Sequence, residues 1–266
     1  MPKISVIMGI YNTNSPDMVK AAIDSILNQT FKDFEFIICD DGSDDGTYEL
    51  VKKLTAHDTR VQLIKNERNM GLAASLNRCL EMAAGTYIAR MDADDSSLPT
   101  RLEEQLIFLE NNSQYALVTC WADLFSDDGV WGQKRVIAAP EKKDLLFGPP
   151  FIHAAMLFRT DILKDLGGYR VCKETLRAED YDLWMRLYAA GHKGYNLQKI
   201  LYQIREDKNA YSRRKYRYRL DEAKVRYRGF KLLELLPGAW PYVVKPLVVG
   251  LIPQQLLARL RKDGLS

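Results

Sequence analysis

The sequence predicts an α/β fold in which a mostly parallel sheet is flanked by helices. Short apolar runs alternate with segments whose apolar residues recur at helical spacing. The chain has 266 residues, 47% of them hydrophobic, so it can bury a full core. Acidic and glycine-containing turns directly follow two of the apolar runs, and parallel sheets bind ligands just beyond the carboxyl ends of their strands.

Strands and helices alternate from the amino terminus onward. Strands are predicted at residues 4–10, 34–39, 61–64 and 87–91, because each is a short apolar run. Helices are predicted at residues 15–29, 47–54, 73–84 and 99–111, and Pro99 suits the first turn of the last one. This order indicates crossover units, which connect parallel strands.

The remaining chain is less regular and changes character near its end. Residues 117–124 and 195–204 are predicted to be strands, and residues 178–190 a helix. From residue 206 onward the sequence is first basic and then apolar with several prolines. We therefore expect an α/β domain at residues 1–205 and a helical, basic and amphipathic extension at residues 206–266.

Charge is divided unevenly along the chain. Residues 199–266 contain sixteen Lys or Arg and six Asp or Glu, a net charge of +10, so residues 1–198 carry −7 of the total of +3. An acidic body suits cation binding, and a basic tail suits an anionic surface. The four cysteines are too widely spaced for a metal-binding pair or a disulfide framework, and no signal peptide is recognisable, so a cytoplasmic protein is expected.

Asp92 and Asp94 directly follow the predicted strand at residues 87–91. Two carboxylates at this spacing can face one divalent cation, and Mg²⁺ and Mn²⁺ prefer oxygen ligands together with substrate phosphates. The alternative is a solvated acidic turn that caps the next helix through Asp95, Ser96 or Ser97.

Two more acidic groups stand next to predicted elements. Asp40 and Asp41 end the strand at residues 34–39, where a carboxylate can accept a hydrogen bond from a nucleotide base, although such a turn also forms without a ligand. Glu179 and Asp180 open the helix at residues 178–190, where the helix dipole favours acidic side chains. A general base is the functional interpretation, and Trp184 one turn later would then offer an aromatic wall for a sugar ring.

Together these motifs resemble family 2 of the glycosyltransferases, which have the GT-A fold, a Rossmann-like mixed sheet flanked by helices. The resemblance covers residues 3–205. It rests on Ile4-Ser5-Val6-Ile7-Met8-Gly9-Ile10-Tyr11-Asn12, Asp40-Asp41-Gly42-Ser43, Asp45-Gly46-Thr47, Asn69-Met70-Gly71-Leu72 with Asn77, Gly85-Thr86-Tyr87-Ile88-Ala89, Asp92-Ala93-Asp94-Asp95, Pro99 with Arg101-Leu102, Gly167-Gly168-Tyr169, and Glu179-Asp180-x-Asp182-Leu183-Trp184-x-Arg186.

The resemblance implies a role for each matching position. Tyr11 is expected near the base, usually uracil in this family, and Asp40 or Asp41 is expected to bind it. Asp92 is expected at the ribose or the metal, and Asp94 at the Mn²⁺ or Mg²⁺ that bridges the donor phosphates. Asp180 is expected to be the catalytic base of a single displacement that inverts the anomeric carbon.

Other positions are weaker candidates. The donor pocket is expected to include Asn69, Gly71 and Asn77, which as an alternative shape a turn and a helix. The acceptor is expected to contact Glu179, Trp184 and His153, and a buried histidine that is hydrogen-bonded to the backbone is the alternative for His153.

The departures from the family pattern bear on the reaction. Gly9-Ile10 replaces the usual Pro-Val before Tyr11, which is a mild change. The Gln-x-x-Arg-Trp motif of processive synthases is absent, since Gln203-Ile204-Arg205 does not match it. The resemblance therefore implies transfer of one sugar from a nucleotide-sugar, usually a UDP-sugar, to a polyprenyl-diphosphate-linked saccharide in bacterial exopolysaccharide or capsule assembly.

Two other functions stay open. A sugar nucleotidyltransferase can share a similar nucleotide-binding half, but its Gly-rich loop after the first strand is missing here, where Gly9 is the only glycine. A protein with the GT-A fold can also have an additional regulatory role through a protein partner.

The carboxyl-terminal segment is predicted to lie on a membrane surface rather than cross it. Residues 235–244 and 246–258 are uncharged, but a spanning helix needs about twenty apolar residues, and four prolines disfavour one long helix. Trp240 and Tyr242 with basic neighbours suit an anionic interface at the inner face of the cell membrane. The alternative is that the segment packs on the catalytic domain. Nucleic acid is not expected as a partner, because the rest of the chain is acidic.

Overall fold

The computed structural model of the protein describes residues 1–13, 15–206 and 216–251. Strands and helices alternate first, as β1 (Ile4–Ile10), α1 (Pro16–Leu27), β2 (Phe34–Asp40), α2 (Thr47–Thr55), β3 (Val61–Lys65), α3 (Leu72–Met82), β4 (Tyr87–Asp92), β5 (Ser96–Ser97) and α4 (Arg101–Asn111). The chain continues with β6 (Leu117–Ser126), β7 (Gly129–Lys134), β8 (Leu157–Arg159), α5 (Thr160–Asp165), α6 (Glu179–Ala189), β9 (Gly194–Arg205), α7 (Arg217–Leu232) and α8 (Trp240–Leu251).

Every predicted strand and helix of the α/β domain is present, and no end differs from its predicted position by more than two residues. Four elements are additional, namely β5, β7, β8 and α5. β5 and β8 have two and three residues, and α5 has six, so none is long enough to show a periodicity. β7 has a mixed composition with two glycines, which gives little strand signal.

The strands form one mixed sheet in the order β3-β2-β1-β4-β8-β6-β9-β5, with β7 paired to β6. The pairs of β1 with β2 and β4, of β2 with β3, and of β6 with β9 are parallel, whereas β8 runs antiparallel to both β4 and β6. The prediction of a mixed, mostly parallel sheet flanked by helices is confirmed.

The register places three strand ends side by side. Ile10 at the end of β1 lies opposite Asp40 in β2, and Gly9 lies opposite Asp92 in β4. Because neighbouring strands are about 4.8 Å apart, the residues that follow β1, β2 and β4 share one edge of the sheet. The acidic turns after β2 and β4 are therefore neighbours in space.

Helices cover both faces of the sheet. Ile4, Val6 and Met8 of β1 belong to one buried cluster, while Ile7 belongs to the other, as the alternation of side chains along a strand requires. The first cluster packs against α1 and α4, and the second against α3 and α6. All four cysteines are free, and Cys172 is the only one that is not fully buried.

The carboxyl-terminal helices α7 and α8 pack on the rest of the protein. Val225, Phe230 and Leu233 belong to the second cluster together with Trp184 of α6. At Gly229 a Cβ would lie 1.9 Å from Met185 Sδ, so α7 approaches α6 as closely as only glycine allows. For α7 and α8, the structure therefore agrees with the alternative prediction, in which the extension packs on the catalytic domain.

Part of the extension lies outside the described residues, including Arg213, Arg214 and Lys215 of the basic run and everything after Leu251. Among the helices that the structure does describe, none combines the length and the apolar character that crossing a membrane would require.

Candidate active site

The turn after β2 and the loop after β3 form one unit. The Asp41 carboxylate accepts hydrogen bonds from Asn66 Nδ2 (2.6 Å) and from the backbone N–H groups of Met70 (2.9 Å) and Gly71 (2.8 Å). At Gly42 φ is +75°, and a Cβ would lie 2.5 Å from the carbonyl carbon of Arg68, so this turn needs glycine. Asp41 therefore positions the loop that carries Asn69 and Gly71.

Asp40 is completely buried next to this unit. Its Oδ1 accepts the backbone N–H of Ser43 (2.9 Å), and its Oδ2 has no hydrogen-bond partner among the described residues. An unpartnered buried carboxylate oxygen is costly, which makes it a candidate acceptor for a ligand N–H group. Asp41 Oδ2 accepts only one hydrogen bond and also keeps capacity for a second.

Tyr11 follows β1 on the same edge. Its side chain is 46% exposed, and the backbone next to it is fixed, because Asn12 N–H donates to Ser43 Oγ (3.0 Å) and Thr13 N–H donates to Thr47 Oγ1 (2.9 Å). Asn69 is exposed on the neighbouring loop. Tyr11, Asp40, Asp41, Asn69 and Gly71 thus surround one part of the edge.

A cluster of three carboxylates follows β4. One oxygen each of Asp92, Asp94 and Asp95 lies within 4.8 Å of the others. Asp94 is exposed and Asp92 half-buried, whereas Asp95 is buried and its Oδ1 accepts the backbone N–H of Arg205 (2.8 Å). The alternative of a helix cap does not describe this turn, because α4 has no side-chain cap and Ser96 and Ser97 pair with β9.

The electrostatics of this cluster suit a bound cation. Neighbouring protein atoms partly desolvate the Asp94 carboxylate although the residue as a whole is exposed, and this desolvation and the nearby Asp92 raise the pKa of Asp94. Burial together with Asp92 and Asp94 raises the pKa of Asp95 well above its usual range. A divalent cation would remove this repulsion, and three carboxylate oxygens at this spacing are the hard ligands that Mn²⁺ and Mg²⁺ prefer. The residues present therefore fit a divalent metal ion.

A second acidic group, the pair of Glu179 and Asp180, lies in the first turn of α6. Burial raises the pKa of Asp180, while a hydrogen bond from the Tyr181 N–H (2.7 Å) and the cations Arg90 and Lys134 oppose this shift. The pKa of Glu179 is raised as well, because burial and the adjacent Asp180 outweigh the opposing effect of the Arg90 charge. The pair thus has a raised proton affinity, as suits a base that operates near neutral pH.

Arg90 of β4 lies between the two acidic groups. Its side chain is only 4% exposed and forms an ion pair with Asp92 through Nη2. Burial alone would lower the pKa of Arg90, but the charge of Asp92 and the nearby Tyr169, Tyr202 and Glu179 raise it, so the guanidinium is a permanent cation. The charge of Arg90 also lowers the pKa values of Asp94, Glu179 and Asp180. The carboxylate cluster after β4 and the acidic pair of α6 therefore interact with the same cation.

Residues 5–167 match the model of the family described as glycosyl transferase family 2. The chain belongs to this family. It is 42% identical over 262 residues to a putative glycosyltransferase, EpsE, of Bacillus subtilis (strain 168), covering 98% of this chain and 94% of EpsE. It is also 31% identical to the UDP-Gal:alpha-D-GlcNAc-diphosphoundecaprenol beta-1,3-galactosyltransferase of Escherichia coli, covering 86% of this chain and 84% of that enzyme.

The fold of this glycosyltransferase matches that of a solved structure. A crystal structure of residues 1–349 of S. aureus TarS in complex with UDP-GlcNAc superposes with a TM-score of 0.68 at 19% identity, covering 89% of this chain and 72% of that chain. The GT-A fold inferred from the sequence is confirmed. The nucleotidyltransferase alternative is dropped, because the family match spans the strands and turns that carry the candidate site.

Two weaker candidates for the glycosyltransferase site, Asn77 and Trp184, have other surroundings than the sequence suggests. Asn77 is half-buried and its amide is engaged with the backbone, because it donates to Tyr169 O (2.8 Å) and accepts from Tyr169 N–H (2.8 Å). Trp184 forms no wall for a sugar ring, because it is fully buried against Phe151 and Phe158. Trp184 lies on the face of α6 that packs inward, which a motif match alone does not show.

His153 is half-buried and contacts a side chain rather than the backbone. Its Nε2 lies 2.8 Å from Tyr169 Oη, and burial together with Arg90 lowers the pKa of His153 well below its usual range. The imidazole of His153 therefore favours its neutral form, and its hydrogen-bond partner is Tyr169.

Sequence reasoning missed the central role of Arg90 and assigned Asp95 only as a possible helix cap. The signal for Arg90 was present, since a charged residue inside an otherwise apolar strand needs a buried partner. Asp95 stands one position after Asp94, and its contact with Arg205 depends on β9, more than a hundred residues later, which no local pattern reveals.

Proposed function

We propose that the protein is an inverting, non-processive glycosyltransferase that transfers one sugar from a UDP-sugar to a polyprenyl-diphosphate-linked saccharide. The observation that carries this proposal is the pairing of the Asp92, Asp94 and Asp95 cluster with the Glu179 and Asp180 pair around Arg90. Two acidic groups with separate surroundings suit separate tasks, cation binding and proton transfer.

The donor half of the proposal rests on the turns after β1, β2 and β4. Tyr11 would lie against the base, and Asp40 or Asp41 would accept its N–H group, because both have unused acceptor capacity. Asp92, Asp94 and Asp95 would hold Mn²⁺ or Mg²⁺. When bound, this ion supplies positive charge to the diphosphate leaving group.

The acceptor half assigns the proton transfer to Asp180. Asp180 would take the proton from the acceptor hydroxyl while the hydroxyl oxygen attacks the anomeric carbon from the side opposite the leaving diphosphate, which inverts that carbon. Burial raises the pKa of Asp180 and so increases its affinity for the proton, and the positive charge of Arg90 opposes this shift. Glu179 is the adjacent candidate for an acceptor contact.

The acceptor class and the pathway are supported by the relatives. The name of the E. coli enzyme specifies a UDP-Gal donor and a diphosphoundecaprenol-linked acceptor. We therefore place the reaction at the cytoplasmic face of the cell membrane, in the assembly of an exopolysaccharide or a capsule. The absence of the processive motif at residues 203–205 supports one sugar per acceptor.

The donor is tested by calorimetry with a panel of nucleotide-sugars, with and without Mn²⁺. We expect one UDP-sugar to bind, and its affinity to fall at least about tenfold without a divalent cation or in Asp94→Ala. Asp17→Ala, an exposed acid in the first turn of α1, is the matched control. If Asp94→Ala bound the UDP-sugar in Mn²⁺ as tightly as the wild type does, the metal assignment would be contradicted.

The reaction is tested with the donor found in this way and a synthetic polyprenyl-diphosphate-linked sugar. Mass spectrometry of the product should show one added sugar, and NMR should show the anomeric configuration opposite to that of the donor. A ladder of products, or a retained configuration, would refute the corresponding part of the proposal.

A further inference from the structure

The helices α7 and α8 form an antiparallel hairpin with a continuous exposed apolar surface. Trp240, Val244, Val248 and Leu251 lie along one side of α8 and are 48%, 42%, 55% and 74% exposed. Their spacing of four, four and three residues places them on one face of the helix. Isolated exposed apolar residues are ordinary, but a continuous row of them indicates a partner.

The outer side of α7 extends this surface. Leu220 and Tyr227 are 46% and 40% exposed, and the Tyr227 ring lies 5.6 Å from that of Trp240. At the other end of the hairpin, a Cβ on Gly250 would lie 3.0 Å from Arg219 Cγ, so the two helices stay together along their length. We call these six exposed side chains, from Leu220 to Leu251, the hairpin face.

Basic side chains accompany the hairpin face. Lys224 and Lys231 are exposed and lie four residues after Leu220 and Tyr227, so they project from the same side of α7. Arg228 and, on α8, Lys245 are also exposed. The acids of α7 are Asp221, which is buried and pairs with Lys224 (3.6 Å), and Glu222, which is half-buried and pairs with Arg219 and Arg226. Arg228 pairs with Glu174 (3.8 Å), whereas no ion pair of Lys231 or Lys245 is found among the described residues.

We propose that the hairpin face docks on the surface of an anionic phospholipid bilayer. Apolar side chains that include a Trp and a Tyr, together with flanking lysines, match the chemistry of the bilayer interface. The positive charge favours an anionic surface over a second copy of this chain, whose hairpin carries the same charge. The sequence after Leu251 continues the pattern, with Arg259, Arg261 and Lys262.

Docking of this hairpin also orients the site, a consequence that rests on the proposed function. Arg226 of α7 is buried over the Tyr181 ring (5.2 Å) of α6. The segment before α6 contacts α7 as well, since Arg177 lies over the Tyr218 ring (4.9 Å). Glu179 and Asp180 therefore belong to a helix that α7 holds rigidly, and a docked hairpin would present them to an acceptor whose lipid part stays in the bilayer.

Vesicle co-sedimentation of the full chain tests the proposal without donor or acceptor. Wild-type protein should bind vesicles of phosphatidylcholine mixed with phosphatidylglycerol much better than phosphatidylcholine alone. Val244→Asp/Val248→Asp should bind the mixed vesicles at least about tenfold more weakly, because both side chains lose their apolar insertion. Ile107→Asp/Ile137→Asp, also at two exposed apolar positions (53% each), is the matched control and should bind as the wild type does.

A charge variant tests the electrostatic component of vesicle binding. Lys224→Gln/Lys231→Gln should weaken binding to mixed vesicles by about thirtyfold at low salt, since each lysine near an anionic surface is worth about fivefold. Lys52→Gln/Lys53→Gln on α2 removes the same charge from an exposed site elsewhere and should have no comparable effect.

The outcomes separate this proposal from the proposed function. Unaltered vesicle binding by both hairpin variants would overturn the docking surface and leave the glycosyltransferase assignment intact. If the wild type did not bind vesicles but formed dimers in light scattering, and Val244→Asp/Val248→Asp abolished the dimers, the membrane proposal would be overturned. The hairpin face would then bind a second copy of the chain. If the wild type bound vesicles as expected but bound no nucleotide-sugar, the proposed function would be overturned and the docking surface would stand.

Discussion

The Asp180 carboxylate is the residue on which the proposed chemistry depends. Asp180→Asn keeps the size and the hydrogen bond from the Tyr181 N–H, but it cannot accept a proton from the acceptor. We expect donor affinity within about twofold of the wild type and turnover reduced by at least about a hundredfold. Calorimetry and an initial-rate assay measure the two quantities, with Glu179→Gln as the neighbouring control. Turnover near the wild-type value would exclude Asp180 as the base.

Arg90 is a positioning residue that acts through the carboxylates around it. Because Arg90 lowers the pKa of Asp180, removing its charge in Arg90→Met should raise that pKa. The acid limb of the kcat/KM profile should therefore move to higher pH, and Arg90→Lys, which keeps a cation, should restore it at least in part. A purely structural role would reduce the rate without moving the limb.

Arg90→Met also tests the energetics of a buried charge. It leaves Asp92, which is half-buried, without its ion-pair partner, and breaking a buried pair costs about 3 to 5 kcal/mol. Asp92 keeps some contact with water, so the loss should lie at or below the lower end of this range. Arg90→Gln, which also removes the charge but can still donate a hydrogen bond to Asp92, is the variant in which the pH profile can be measured if Arg90→Met does not fold.

At the scale of elements, α6 is held in place by Asp182, a motif residue whose side chain is buried. Asp182 is 5% exposed and accepts hydrogen bonds from Arg170 (2.7 Å) and Arg186 (2.8 Å). Arg186 in turn donates to Gly168 O (2.8 Å), and at Gly168, where φ is +63°, a Cβ would lie 2.6 Å from Asn77 Oδ1. This network joins α6 to α3 through the Gly167-Gly168-Tyr169 turn.

Asp182→Ala should therefore destabilise the protein strongly. It leaves Arg186, whose side chain is 12% exposed, without its carboxylate, and we expect the free energy of unfolding to fall by about 3 kcal/mol. Asp161→Ala removes an exposed acid from the first turn of α5 and should cost less than about 1 kcal/mol. Chemical denaturation measures both, and equal losses would contradict the assigned role of the network.

The same elements explain how much the sequence could predict. Strands β1, β2 and β4 were predictable because each is a continuous apolar run, and their ends carry the turns that form the site. β8 was not, because its three residues become a strand only by pairing with β4 and β6, segments far away in the sequence. Motif position alone could not separate Asp180, which is half-buried, from Asp182 and Trp184, which are buried.

At the scale of the whole molecule, the carboxylate cluster links stability to pH and to the metal. A buried acid whose pKa is raised in the folded state binds more protons there than in the unfolded chain. Its contribution favours folding below its unfolded pKa of about 3.9 and is lost as the pH rises through the raised folded pKa. At neutral pH without a divalent cation, Asp95 therefore reduces the stability of the protein.

Asp95→Asn should for this reason stabilise the metal-free protein. Asparagine keeps the acceptor for the Arg205 N–H but carries no charge, so the midpoint of thermal unfolding at neutral pH with a chelator should rise by about 2 to 4 °C. Wild-type protein should gain more stability from Mn²⁺ than the variant does, because binding to the folded state alone stabilises it and Asp95 contributes a ligand charge. Thermal unfolding with and without Mn²⁺ at several pH values measures both effects, and the advantage of the variant should disappear at acidic pH, where Asp95 is protonated in the wild type. A variant that is less stable than the wild type in chelator, and that gains the same stability from Mn²⁺, would show that Asp95 neither repels its neighbours nor contributes to the metal site.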